Sequence, residues 1–217
     1  MASENDVLVV GLGRFGGALA RSLTELGYSV LGVDSDPVLV QECSQWLTHV
    51  VQADATSADA MRQLGAPDFG TAVIAIGTDL EPSILATSLV VDQGVPRVWA
   101  KAITRAHGRI LERVGAHRVV FPERDMGVRV AHMLVGRTID YIQLDEGFAL
   151  LERPTPRELH GQTLQGAEVR KRYGVTVVCV RPDGGAWTFA TADTVVGERD
   201  VLVVAGERRL VERFARL

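Results

Sequence analysis

Lysine is almost missing from this 217-residue chain: Lys101 and Lys171 stand against 21 arginines. No lysine follows a glycine-rich turn, so the chain has no Walker motif and no evident machinery for hydrolysing ATP. No Tyr-x-x-x-Lys pair is present to shuttle a proton beside a nicotinamide. The arginine bias itself reads as genome composition. Cysteine is equally scarce. Cys43 and Cys179 have no metal-ligand spacing and read as small buried residues in a reducing compartment. The five histidines, at 49, 107, 117, 132 and 160, are scattered, and no Ser-His-Asp or Cys-His arrangement is suggested locally. Positive charge is not in excess: the net charge of −4 and a pI near 5.7 argue against a nucleic-acid footprint. No apolar run approaches the ~18 residues of a membrane span. Met1 to Asp6 is polar and the first apolar run reads as a strand, so no signal peptide is expected.

What is there begins at Val7-Leu8-Val9-Val10-Gly11-Leu12-Gly13-Arg14-Phe15-Gly16. An apolar strand feeds a G-x-G-x-x-G turn, and a helix follows at once. Gly11 permits the tight turn, Gly13 lets a pyrophosphate approach the backbone, and Gly16 lets the helix pack close to the strand. The first helical N–H groups then face a ligand with partial positive charge. Asp34 ends a second strand, 23 positions after Gly11, where a carboxylate hydrogen-bonds a ribose diol and repels a 2′-phosphate. Together these residues point to an adenosine-containing ligand.

Further along, strand and helix signals alternate, which predicts α/β architecture: a Rossmann-like, doubly wound parallel sheet. The strands end near Val10, Asp34, Val51, Ile76, Ala102 and Phe121. Asp36 caps a helix opened by Pro37. Pro122-Glu123 begins one more helix, to about Gly136, with Met126, Val130, Met133 and Leu134 on one stripe and Val128 and Val135 off it. A helix apolar on two sides is expected to be buried on two sides. It packs within one domain, or it crosses over to a second subunit. From Ile139 the pattern changes to a smaller α+β module. A hairpin surrounds Asp145-Glu146-Gly147, a short helix covers Gln165 to Tyr173, and further strands and a terminal helix follow. The expected domains are 1–137 and 138–217.

Three more features sit at the sheet's ligand edge. Arg14, inside the glycine turn, can neutralise a terminal phosphate of its own ligand or of a neighbour's. Gly77 and Thr78 follow a central strand, and Lys101 ends the next one. Glu123 opens the helix after Pro122, either as dipole compensation or, paired across a dimer axis, as a cation ligand. The sequence thus offers a ligand cradle without an evident reaction, which favours a sensor over an enzyme.

The chain resembles the regulatory subunits of Ktr/Trk potassium-uptake systems. These have an RCK (regulator of conductance of K+) N-terminal domain and an RCK-C, or TrkA-C, domain. The resemblance rests on Gly11 to Gly17, Val33-Asp34, Ala75-Ile76-Gly77, Val98-Trp99-Ala100-Lys101-Ala102 and Phe121-Pro122-Glu123-Arg124-Asp125-Met126-Gly127. Val169 to Gly174 and Asp200 to Gly206 also fit. It implies a non-enzymatic cytoplasmic subunit, an octameric ring of dimers beneath a membrane potassium-translocating partner, with ATP favouring the active ring and ADP the inactive one. By the same resemblance Asp34 and Asp36 face the ribose or adenosine, Arg14 and Lys101 the phosphates, and Glu123 a cation such as Mg2+ at the dimer axis. The expected nucleotide-binding set also takes in Phe15, Ser35, Asp54, Ala55 and Ile76. Arg170 matches a position that some relatives use for cyclic di-AMP, although Ala190 stands where those relatives often have proline. NAD(H), bound by a redox sensor or a small oxidoreductase, is the alternative, since Asp34 does not separate NAD from ATP.

Overall fold

The computed structural model describes residues 3–77, 79–135 and 137–217, so Thr78 and Gly136, both named above, lie outside the described residues. The chain divides into two compact units, Met1–Glu123 and Arg124–Leu217.

In the first unit, β1 (Ser3–Val10), α1 (Arg14–Glu25), β2 (Ser29–Asp34), α2 (Pro37–Cys43), β3 (His49–Gln52), α3 (Ala58–Gln63), β4 (Phe69–Ile74), α4 (Leu80–Asp92), β5 (Arg97–Lys101), α5 (Arg105–Arg113) and β6 (Arg118–Val120) alternate as expected. The strands pair in parallel in the order β3-β2-β1-β4-β5-β6, with Val10 opposite both Val33 and Ile74. The order reverses between β1 and β4, which opens a crevice beyond their carboxyl ends. Asp36, Ser57, Asp79 and Thr104 each cap a helix with a side-chain oxygen, worth about 1 kcal/mol apiece. Gly27, at φ +86°, closes α1 in the left-handed conformation that glycine adopts without Cβ strain.

Strand alternation sorts the core onto two faces. Leu8, Val10, Ala72, Ile74, Val98 and Ala100 pack with Met61, Ala86, Val90 and Leu111 of α3, α4 and α5. Val7, Val9 and Val30 pack with Ala20, Cys43 and Leu47 on the α1 and α2 side. No such helix from this unit closes the second face over β4 to β6. An apolar groove of about 480 Å³ remains there, lined by Phe15, Leu19 and Leu23 of α1 together with Val73, Trp99 and Val120.

Helix α6 (Pro122–Leu134) opens on a proline, as the sequence indicates. Burial on two sides within one domain is not met: no α6 residue is buried, and Met126, Val130 and Leu134 are 52%, 42% and 80% exposed. The apolar stripe is thus largely open among the described residues.

The second unit holds β7 (Asp140–Gln143), β8 (Phe148–Pro154), β9 (Gln162–Thr163), α7 (Val169–Tyr173), β10 (Val175–Arg181), β11 (Thr188–Phe189), β12 (Val195–Val196), β13 (Val201–Glu207) and α8 (Arg208–Phe214). Its antiparallel sheet runs β11-β10-β13-β8-β7, and the predicted hairpin pairs Tyr141 with Leu151. The α7 helix is shorter than the sequence suggested. Glu168 takes φ +47°, which no right-handed helix accommodates, so the helix starts at Val169 rather than Gln165. The small β9–β12 pair carries too short an apolar run to be read from sequence. Arg153, 1% exposed, lies in this core. Its Nε donates to the Pro154 carbonyl, its Nη1 donates to the Phe214 carbonyl at the end of α8, and its guanidinium faces the Phe214 ring.

Candidate functional site

The glycine turn is built by close backbone approach. Gly11 stands at φ +91° and donates its N–H to the Val33 carbonyl at 2.8 Å. A Cβ there would lie 3.0 Å from the Ile76 nitrogen. At Gly16 a Cβ would fall 1.8 Å from the Gly11 carbonyl oxygen, so that position excludes any side chain. Gly13, the N-cap of α1, has nothing within 4 Å of a built Cβ and no side-chain cap. Space in front of Gly13 and first-turn N–H groups without intrahelical acceptors are what an anion at a helix N-terminus requires. The three glycines thus divide the labour that the motif predicts: Gly11 turns, Gly16 packs and Gly13 leaves room.

Asp34 ends β2 beside this turn. Its Oδ2 accepts from the Leu12 N–H at 2.6 Å and its Oδ1 from the Asp36 N–H at 2.9 Å. Two backbone donors thus fix the carboxylate at the lip of the crevice. The Leu12 contact, across 22 residues, has no signature in the sequence. Gly32 does carry a signal, being a glycine within a strand. A Cβ there would meet Leu47 at 2.8 Å and Leu12 at 3.0 Å, so its absence lets the turn settle onto β2.

The other expected residues distribute as follows. Ser35 is exposed and its carbonyl accepts from the Gln52 side chain at 3.2 Å. Asp36 is exposed, and its carboxylate is engaged as the α2 cap, accepting from the Val38 N–H at 2.8 Å. Asp54 follows β3, and Ala55 beside it is buried. The Thr56 hydroxyl at 2.7 Å, then its N–H at 2.9 Å, hold the Asp54 carboxyl below the usual carboxylate range. Ile76 and Gly77 lie beyond β4, half-buried.

Lys101 ends β5 and is 9% exposed. Its ammonium sits 5.7 Å from the Phe15 ring centroid and so close to Gly77 that a Cβ there would stand 2.7 Å from Nζ. Its ion pair is with Glu123, at 2.6 Å. The hydrogen bond from Lys101 holds the Glu123 carboxyl below its ordinary range, and Glu123's own backbone N–H and the field of Arg14 lower it further. Arg14 itself is exposed. The edge of the sheet thus brings the Lys101–Glu123 pair beside the glycine turn that carries Arg14.

Among the described residues no three or more His, Cys, Asp or Glu side chains cluster, and the Glu123 carboxylate is already engaged. Among the described residues no helix is long and apolar enough to cross a membrane. In the second unit, Arg170 donates from Nε to Thr176 Oγ1 at 3.1 Å, beside an open hollow of about 520 Å³ that Gln165, Ala190 and Thr191 also line.

Residues 7–122 match the family model of the TrkA-N domain. The chain is 33% identical to Ktr system potassium uptake protein A of Bacillus subtilis (strain 168) over 95% of its own length and 93% of that protein's. It is 35% identical to Ktr system potassium uptake protein A of Vibrio alginolyticus, covering 94% and 93% of the two chains. Among solved structures, the GsuK channel bound to NAD superposes with a TM-score of 0.66 at 20% identity over 96% of this chain. The match spans 38% of that channel's length, and at this identity the likeness is one of fold.

Proposed function

The chain belongs to the TrkA-N domain family and is homologous to the Ktr potassium-uptake proteins, and from that premise we propose that it is the adenine-nucleotide-sensing subunit that regulates potassium flux through a membrane partner. ATP and ADP are the proposed ligands. Asp34 carries the reading: two backbone N–H groups aim its carboxylate across a glycine turn that leaves open space at Gly13. That arrangement suits a ribose diol on one side and a diphosphate on the other. Arg14 and Lys101 supply positive charge at the same edge, which favours a nucleotide ending in free phosphates over the continuous pyrophosphate of NAD. The chain works by differential affinity. A nucleotide shifts the regulator between two shapes only as far as it binds one better than the other.

A dimer is part of this proposal. An apolar groove stays open over β4 to β6, and the apolar stripe of α6 is exposed in one copy. Seating α6 of a second copy over that face would bury both surfaces through one isologous contact. Rings of such dimers, docked to the cytoplasmic side of the potassium-translocating subunit, complete the proposed assembly.

The experiment is thermal unfolding of the purified chain against ATP, ADP, NAD, NADH and cyclic di-AMP, with and without Mg2+. A ligand at ~100 times its dissociation constant adds about 2.7 kcal/mol. Stabilisation by ATP and ADP is expected. Stabilisation by NAD or NADH alone refutes the ligand assignment and moves the chain to the redox-sensing alternative. A Mg2+ requirement for ATP tests whether two copies pool their Glu123 carboxylates. A response to cyclic di-AMP that Arg170→Ala removes tests the hollow in the second unit.

A further inference from the structure

We propose that the Glu123 carboxylate is a built-in occupant of the phosphate subsite, holding Lys101 until a polyphosphate takes its place. The inference rests on the nucleotide reading above. Its starting point is that the side chain of Lys101 is 11% exposed while that of Glu123, its partner at 2.6 Å, is 64% exposed. The lysine is therefore anchored and the acid is the movable member. Burying a lysine ammonium this far is costly unless an anion neutralises it.

The packing around Lys101 shows where that anion must come from. The ammonium is pressed against the Gly77 backbone at the end of β4 and faces the Phe15 ring on the first turn of α1. Both lie at the carboxyl edge of the sheet, next to the open space at Gly13. An anion arriving in the glycine turn therefore meets a cation that already has a carboxylate partner. The hydrogen bond from Lys101 is the main cause that lowers the Glu123 carboxyl, and the field of Arg14 is the least of them. That carboxylate thus occupies the ammonium assigned to phosphate. Phosphate oxygens offer the same charge-assisted acceptors and more of them, so the two anions compete for one site.

Competition has a mechanical consequence. Glu123 is the second residue of α6, whose apolar stripe is exposed. Release of its carboxylate frees the first turn of that helix from β5. Occupation of the nucleotide site would then reach α6 by a bond exchanged rather than by a strain transmitted, and only phosphate-bearing ligands would make the exchange.

The test is a double-mutant cycle on ligand affinity, measured by calorimetry on the full-length chain in EDTA at low salt, so that no divalent cation intervenes. Glu123→Gln removes the competing charge from an exposed, isosteric side chain and should bind ADP about fivefold more tightly, the scale of one charge-assisted pair near a surface. Adenosine, which carries no phosphate, should bind both proteins alike. Lys101→Met should weaken ADP about tenfold, and adding Glu123→Gln to it should restore nothing. If the wild type binds ADP but Glu123→Gln binds it no better, or gains equally in the Lys101→Met background, the exchange is refuted while the nucleotide reading stands. If the wild type binds neither ADP, ATP nor NAD, the nucleotide reading fails and the exchange falls with it.

Discussion

Gly13→Ala and Gly16→Ala place the same methyl group three residues apart in the same turn, yet the structure gives them opposite outcomes. At Gly16 the added Cβ lies 1.8 Å from the Gly11 carbonyl oxygen, 2.9 Å from the Gly11 carbonyl carbon and 3.0 Å from the Ala75 methyl. The first two are backbone atoms of a turn already held to Val33 and cannot rotate away. To reach van der Waals contact, the start of α1 must separate from β1 by roughly 1.5 Å. That movement also disrupts the packing of Leu12 and Ala20. Overpacking typically costs 1–3 kcal/mol and more where backbone must shift, so a loss of at least about 3 kcal/mol is expected. At Gly13 the new methyl meets nothing within 4 Å, and φ −62° suits alanine. Alanine is a poorer N-cap than glycine, so about 0.5–1 kcal/mol of capping preference is at stake. The methyl does fill the space proposed for a diphosphate. Urea unfolding followed by circular dichroism, alongside ADP calorimetry, reads both effects. Gly16→Ala should lower the unfolding midpoint sharply. Gly13→Ala should lower it far less and weaken ADP at least tenfold. Equal midpoints for the two variants would refute the close-approach argument, and an unchanged ADP affinity in Gly13→Ala would refute the anion seat.

Asp34→Ala strips the acceptor from the Leu12 and Asp36 N–H groups, so about 1–2 kcal/mol of stability should be lost together with at least tenfold in ADP affinity, read by the same two assays. Arg153→Met keeps the buried stem but removes one donor each from the Pro154 and Phe214 carbonyls, the latter keeping the Leu217 N–H. The second unit should lose about 2–3 kcal/mol, seen as a lower urea midpoint with nucleotide affinity intact. Asp140 is held below its ordinary range by hydrogen bonds from Arg129, so it binds protons more readily unfolded than folded. Its contribution is complete above the ordinary aspartate pKa of about 3.9 and is lost as pH falls below that value toward the lowered folded one. Asp140→Asn should therefore flatten the acid limb of a stability-versus-pH curve, and an unchanged acid limb would count against the pairing.

Much of this protein was settled along the chain. Period-two apolar runs, Asp36-Pro37, Gly27 and the hairpin around Asp145-Glu146-Gly147 are local signals, because caps, turns and alternation act over a few residues. They located most of the elements and the parallel sheet of the first unit. The glycine spacing and Asp34 located the crevice, since both need only a strand, a turn and a helix in series. What stayed hidden depends on distance in sequence. The bond from the Leu12 N–H to Asp34, the burial of Arg153 under α8 and the ion pair of Lys101 with Glu123 join residues with no fixed spacing. The short start of α7 turned on one residue, Glu168, taking φ +47°, a choice that propensity alone does not make. Helix α6 shows the division most clearly. Its stripe was legible as apolar on two sides, yet burial is a property of what lies opposite, and among the described residues the stripe stays exposed. Sequence determined which surfaces seek cover and which groups carry charge. Tertiary structure decided which of them meet, because contact between distant segments follows from packing three-dimensional elements and not from any local period.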